Sequence, residues 1–327
     1  VDVLEIREAP DPEPADGEVR LAVKGIGINF ADLLARRGMY PDAPKIPCVV
    51  GYDVAGIVEA VGAGVTRFSE GDHVFGLSRF GGYATQVCVP EEQLYQIPTG
   101  LDFADAAAIP VNYFTAYLAL FYLGSLQDGE RLLVHGAGGG VGIAALQLAA
   151  LRNVEVFGTA SAGKHEILRV SGCDHTIDYQ TQDFVKEINR HTEEAGVHLV
   201  LDPLGGASLK RDREILAPLG RIVAYGVSSA VGGRKRNMLR LARTALSFPR
   251  FNPIDLMNKN QGILGLNLGH LWGEISRLRW VGNELLRLTA DGSIEPRAGH
   301  RFAFDEVQEA HTFMEQRRNI GKVVLVA

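Results

Sequence analysis

Cysteine is scarce in this 327-residue chain. Three occur, Cys48, Cys88 and Cys173, far apart and odd in number. That does not suggest a disulfide framework and fits a reducing, cytoplasmic setting. A large charge imbalance is also missing. The net charge is −6 at pH 7, which argues against a nucleic-acid protein. An unbroken apolar run is missing too. Ala106–Leu123 carries no charge and has the length of a membrane span. Pro110 and Asn112 interrupt it, and Tyr113, Thr115, Tyr117 and Tyr122 add polar atoms. A buried linking helix is the reading this favours. No signal peptide opens the chain. An initiator Met is absent and the chain starts in a strand-like run, Val1–Ile6, so residues are expected before Val1. Nine histidines occur, but no pair of them has convincing metal-ligand spacing. His165-Glu166 starts like a zincin helix, yet Arg169 stands where the second His is required. Gly76-Leu77-Ser78-Arg79-Phe80 lacks the final glycine of a nucleophile elbow.

What is present is glycine in one informative place. Arg131–Gly142 reads Arg-Leu-Leu-Val-His-Gly-Ala-Gly-Gly-Gly-Val-Gly. Leu132, Leu133 and Val134 suit a strand buried on both faces of a parallel sheet. Ile143, Leu146, Gln147 and Ala150 then follow at helical spacing. The turn between fits A-x-G-x-x-G across Ala137, Gly139 and Gly142. Its bare backbone would let a pyrophosphate approach the free N–H groups and dipole of the helix start. A glycine-rich turn is often only a turn. Here a second strand, Val154–Phe157, follows about one helix later and ends in Gly158-Thr159-Ala160-Ser161. That completes a βαβ unit of the right length.

The length allows two domains and a large core. Residues 1–100 read as strands (Val19–Ile28, Val54–Val61, Tyr83–Val89) broken by Gly and Pro, without βαβ rhythm. From about Ala104 the rhythm changes. Strands at Thr176–Ile177, Val197–Leu201, Arg221–Ala224 and Gly262–Leu268, with a helix at Ala207–Leu216, predict a doubly wound parallel sheet. An insertion at 231–261 is basic, with Arg234, Lys235, Arg236, Arg240, Arg243 and Arg250. Met238, Leu241, Ala242 and Ala245 give it helical spacing. The tail offers helices at Glu274–Thr289 and Asp305–Gln316 and a strand at Lys322–Val326. We assign it back to the first, β-rich domain. The fold class is therefore α/β, with a Rossmann domain at 113–266 and a discontinuous domain at 1–112 and 267–327.

Laid out in this way, the chain resembles the medium-chain dehydrogenases/reductases, and among them the zinc-independent quinone oxidoreductases. The matching pieces are Gly27–Asp32 with Arg37–Pro41, Gly51–Val58, Thr115–Tyr117, the glycine turn, Gly158–Ser161, Ile177–Tyr179, Asp202–Gly206 and Gly321–Leu325. A finer likeness lies in Val111-Asn112-Tyr113, Val156–Ser161, Lys164-His165-Glu166, Lys235-Arg236-Asn237 and Leu241–Thr244. These resemble the vesicle amine transport protein homologue branch. The resemblance implies a GroES-like discontinuous domain and a hydride transfer between NADP(H) and a small molecule.

In zinc-dependent relatives a Cys fills the slot of Asn29, and Gly-His-Glu fills that of Gly51-Tyr52-Asp53. An amide, a phenol and one carboxylate do not make the roughly three ligands a catalytic zinc needs. No metal is expected. An NAD site usually has Asp or Glu about 20 residues past the turn, at the end of the second strand. Thr159, Ala160 and Ser161 stand there, and no carboxylate occurs before Glu166. NADP is the expected dinucleotide, with Ser161, Lys164 and, by resemblance, Tyr179 toward its 2′-phosphate. Lys164 at a helix start opposes the helix dipole and is otherwise an ordinary solvated lysine. Gly163-Lys164 nearly spells a P-loop, but His165 replaces the required Ser or Thr.

Reduction of a quinone or an α,β-unsaturated carbonyl compound builds negative charge on oxygen, which donors must stabilise. Asn29 and Tyr40 are the candidates, since the resemblance puts both over the cofactor. Asp32 either orients Tyr40 or caps the helix starting near Ala31. The remaining cofactor contacts implied are Thr115, Gly138, Gly139, Gly140, Val141, Gly142, Thr159, Tyr225, Gly226, Leu266, Asn319 and Lys322. The alternative is an NADPH-binding adaptor whose basic insertion meets anionic membrane or phosphate. An edge strand near Leu264–Leu268 suggests a homodimer.

Overall fold

The computed structural model describes residues 1–230 and 248–327. The expectations for the basic insertion therefore lie outside the described residues up to 247. The chain separates into two units, Val1–Phe114 with Gly269–Ala327, and Thr115–Leu268.

The first unit starts its sheet with β1 (Glu18–Ile28), where Val19, Leu21 and Val23 alternate inward and Ile26 and Ile28 complete the buried face. Then come β2 (Asp53–Val61), β3 (His73–Leu77), β4 (Gln86–Pro90) and β5 (Leu94–Gln96). Val1–Ile6, expected as strand-like, has no strand. Val3 and Ile6 are 72% and 55% exposed, and Leu4 alone of the segment packs against the core, so no continuous apolar face holds it extended.

The expected linking helix is several pieces. A short helix, Phe103–Ala106, precedes Pro110–Tyr117, which runs into a π-helical turn at Leu118–Leu123. Proline at the first position of the second piece costs no hydrogen bond. No helix among the described residues is long and apolar enough to cross a membrane.

The second unit holds β6 (Arg131–Val134), β7 (Glu155–Ala160), β8 (His175–Asp178), β9 (Val197–Asp202), β10 (Leu216–Ala224) and β11 (Gly262–Gly265). All pairs are parallel, in the order β11-β10-β9-β6-β7-β8. This is the doubly wound Rossmann sheet, with β6 central and the glycine turn at its carboxyl end. Leu133, Phe157, Val200 and Ile222 are fully buried in its core. The helix expected over Ala207–Leu216 is shorter. Ser208–Asp212 is helical, Arg213–Ile215 is a 3-10 turn, and Leu216 already belongs to β10. The pairing with β9 is broken between Leu216 and Arg221, where Leu219 has φ +64°.

The tail returns to the first unit as β12 (Ala298–Ala303) and β13 (Lys322–Val326). The order is β12-β13-β1-β2-β3-β5, with β4 also paired to β1. The tail strand is thus interior, antiparallel to β1 with Ile26 opposite Leu325 and Ile28 opposite Val323.

Candidate functional site

In the second unit β6 ends at Val134 and the helix Gly140–Ala149 begins after the turn. Gly139 is its N-cap and no side chain caps it, so first-turn N–H groups are left for an anion. A Cβ on Gly142 would lie 2.5–2.6 Å from the backbone of Ala137, so only glycine fits this approach. Lys164 crosses the same turn. Its Cδ would be 2.7 Å from a Cβ on Gly138. A cation, bare glycines and an open helix start thus meet in one place.

Below the turn Thr159, His135 and Asp212 are linked in a buried chain, with Asp212 Oδ2 left without a partner. The Thr159 hydroxyl accepts from Gly136 N at 3.2 Å and lies 3.1 Å from His135 Nδ1. His135 Nε2 is 2.8 Å from Asp212 Oδ1. Burial pushes the Asp212 carboxyl up to about 7, with His135 opposing. Thr159 is 3% exposed and supports the turn from within. At the ends of the other strands, Tyr225 N donates to Asp202 O and Leu266 N to Ala224 O, both at 2.9 Å. Gly226 packs where a Cβ would lie 2.6 Å from Pro203 O. Tyr179 is 44% exposed, Ser161 and Lys164 are half-buried, and Thr115 is buried.

In the first unit Asn29, Asp53 and Lys322 form a buried cluster. Asn29 Nδ2 donates to Asp53 Oδ2 at 2.8 Å and to Gly27 O at 3.3 Å. Lys322 Nζ donates to Asn29 Oδ1 at 2.7 Å and pairs with Asp53 Oδ2. Val111 N donates to Asp53 Oδ1 at 2.9 Å. Gly27 leaves room for this cation, since a Cβ there would lie 2.4 Å from Lys322 Cε. Both amide hydrogens of Asn29 are therefore spent inside the unit. Asn319 also bonds locally, to Gly321 O at 3.1 Å.

Asp32 settles which of its two expected parts it plays. Its Oδ2 accepts from Asn29 N at 2.8 Å, the capping box of the helix Phe30–Arg36. Its side-chain partner is Tyr83, not Tyr40. Burial is the leading cause that pushes its carboxyl up to about 7. A directional chain reaches it. Arg36 donates to His311 Nδ1, which leaves the proton on Nε2 facing Tyr83 Oη at 2.9 Å, and Tyr83 donates to Asp32. Burial holds His311 down to about 3, so the ring is neutral.

Tyr40 belongs to an aromatic cluster instead. Its ring lies 6.4 Å from Tyr52 and 6.3 Å from Phe80, and Tyr52 is 4.8 Å from Phe80. Trp272 lies nearly parallel to Tyr52 at 6.5 Å. Burial pushes both phenols up. The two phenols lie beside each other, and burial is the leading cause of the shift in both. Phe80 has φ +70°, a strained backbone for an aromatic residue. Beside the cluster is a cavity of about 290 Å³ lined by Asp42, Tyr52, Arg79, Phe80, His270 and Trp272.

Sequence reasoning missed Phe80 and Trp272, which stand alone in the chain with no motif around them. It took Tyr52 and Asp53 as part of the Gly51–Val58 match and as failed metal ligands, and gave neither a role in the site. The pairing of Asp53 with Lys322 spans the whole chain and has no local signal.

Residues 15–99 match the alcohol dehydrogenase GroES-like domain family, and residues 171–325 match the zinc-binding dehydrogenase family. The chain is 43% identical over 324 residues to the rat synaptic vesicle membrane protein VAT-1 homolog, covering 99% of this chain and 80% of that protein. It is 30% identical over 333 residues to human quinone oxidoreductase, covering 99% and 94%. The solved structure of Escherichia coli quinone oxidoreductase complexed with NADPH superposes with a TM-score of 0.88 at 28% identity, covering 100% of this chain and 96% of that one. The zinc of the family description does not fit the residues present. Asn29 and Tyr52 are poor ligands, and Asp53 is committed to the Lys322 ammonium.

Proposed function

Since the chain belongs to the medium-chain dehydrogenase/reductase superfamily, beside the VAT-1 homologues and quinone oxidoreductases, we propose that this oxidoreductase uses NADPH to reduce quinones or α,β-unsaturated carbonyl compounds without a metal. The observation that carries this reading is the uncapped helix start over Gly142 with Lys164 laid across the turn. The backbone of Gly138–Gly142 would hold the pyrophosphate, and Lys164, Ser161 and Tyr179 the 2′-phosphate. Thr115, Tyr225, Gly226 and Leu266 would border the nicotinamide end. Thr159 acts from beneath, holding Gly136.

The bound coenzyme supplies a hydride. The protein's share is to meet the negative charge that builds on the substrate oxygen. Tyr40 would supply the hydroxyl for it, set beside the Tyr52 and Phe80 rings. One hydride and one proton are added per carbonyl or enone, and solvent restores the proton. Asn29 is a positioning residue in this reading, because its N–H groups are occupied, and with Asp53 it fixes Lys322. Asp32 positions Asn29 through the helix cap.

A screen of quinones and enones, followed by the loss of NADPH absorbance, tests the proposal. Turnover with at least one simple quinone or enone is expected. The vesicle name of the 43% identical relative favours a second reading, an NADPH-binding adaptor that meets anionic membrane. Tight NADPH binding with no oxidation across the panel would select it. We also propose a homodimer through the outer edge of β11, which is half-exposed and, among the described residues, paired only to β10. Sedimentation velocity measures that.

A further inference from the structure

The cavity of the first unit combines two kinds of wall. Tyr52, Phe80 and Trp272 give it flat aromatic faces. Arg79, Asp42 and His270 give it charge. The charges are not balanced within it. Asp42 Oδ2 is 2.9 Å from His270 Nε2, so that carboxylate already has a partner. Arg79 is exposed and, among the described residues, makes no ion pair and no hydrogen bond. Next to it in the chain, Phe80 is held at φ +70°, which keeps its ring in the aromatic cluster beside an arginine on the same wall.

We propose that this cavity selects a planar conjugated ring bearing an anionic substituent, with the ring on Phe80 and Trp272 and the anion on Arg79. The inference deepens the reductase reading and rests on it, since the ring would be the substrate's. About 290 Å³ is at the small end of ligand pockets. It admits one or two fused rings and not a long chain. Aromatic walls favour such a ring by offset stacking. Arginine presents a planar fork that suits a carboxylate, and a charge-assisted bond of this kind is enough to set a preference of about tenfold.

The test uses 1,4-naphthoquinone-2-carboxylate and its methyl ester. The chain has two tryptophans. In a Trp280→Phe background, quenching of Trp272 fluorescence without NADPH reports binding alone. We expect the acid to bind about tenfold more tightly than the ester. Arg79→Gln should abolish that preference and leave ester binding within about twofold, and Arg79→Lys should keep part of it. Equal binding of acid and ester, equal weakening of both by Arg79→Gln, or no quenching at all overturns the inference. NADPH oxidation is then measured separately with the same pair. Turnover of both compounds without acid preference sinks the anion site and leaves the reductase reading standing. Arg79-dependent binding with no turnover of any quinone supports the anion site and sinks the reductase reading.

Discussion

Tyr40 and Asp32 show how differently two polar residues close in sequence are used. Tyr40 packs in the aromatic cluster beside the cavity and, in the proposed reaction, its hydroxyl meets the substrate oxygen, so Tyr40→Phe should lower kcat about a hundredfold with little change in KM. Steady-state kinetics with a simple quinone checks this. Asp32 is fully buried and its carboxyl rises from 3.8 to about 7, burial being the main cause. The folded chain then keeps a proton that the unfolded chain releases near pH 4. The resulting stability is fully present below pH 3.8 and is lost as pH rises through 7. The linkage is worth up to ~4 kcal/mol. Asp32→Asn removes it, so the variant should gain on the wild type by on the order of 2 kcal/mol between pH 5 and pH 8. Urea unfolding at the two pH values measures the gain, and a constant difference would mean an ionised Asp32.

The strand, turn and helix from Arg131 to Ala149 were legible because their signals are local. A charge-free triplet, bare glycines and a 3.6-residue period each name one element. The same holds for the absence of an acid after β7. The cluster of Asn29, Asp53 and Lys322 was not legible as a cluster, because β13 brings its cation from nearly 300 residues away. The Phe80 conformation has no sequence cue either. At this scale Gly142→Ala forces a Cβ against the Ala137 backbone, which cannot give way. It should weaken NADPH binding more than tenfold and cost about 2–3 kcal/mol of stability. Fluorescence titration and thermal melting check both effects. Lys164→Gln should raise the Kd for NADPH about tenfold and leave NADH within about twofold, as read by paired titrations.

At the scale of the whole molecule, one unit is continuous in the chain and the other is assembled from both ends of it. Because β13 lies between β12 and β1, the tail strand is as interior as the strand it covers. Amides of Val323 and Leu325 should therefore exchange with the same opening free energy as those of Ile26 and Ile28. Native-state hydrogen exchange followed residue by residue gives that comparison. Earlier exchange of the tail would make it an accessory to the sheet.

That interior tail also sets a timetable for birth at the ribosome. The flank of β1 from Gly25 to Ile28 emerges early, and its cover, Val323–Val326, is translated roughly 300 residues later. At about 5–20 residues per second the flank waits some 15–60 seconds. Throughout that wait a nascent strand offers bare backbone to any neighbour able to pair with it. The contiguous unit has no such delay and can finish first, so crowding by sister chains on one messenger threatens the split half alone.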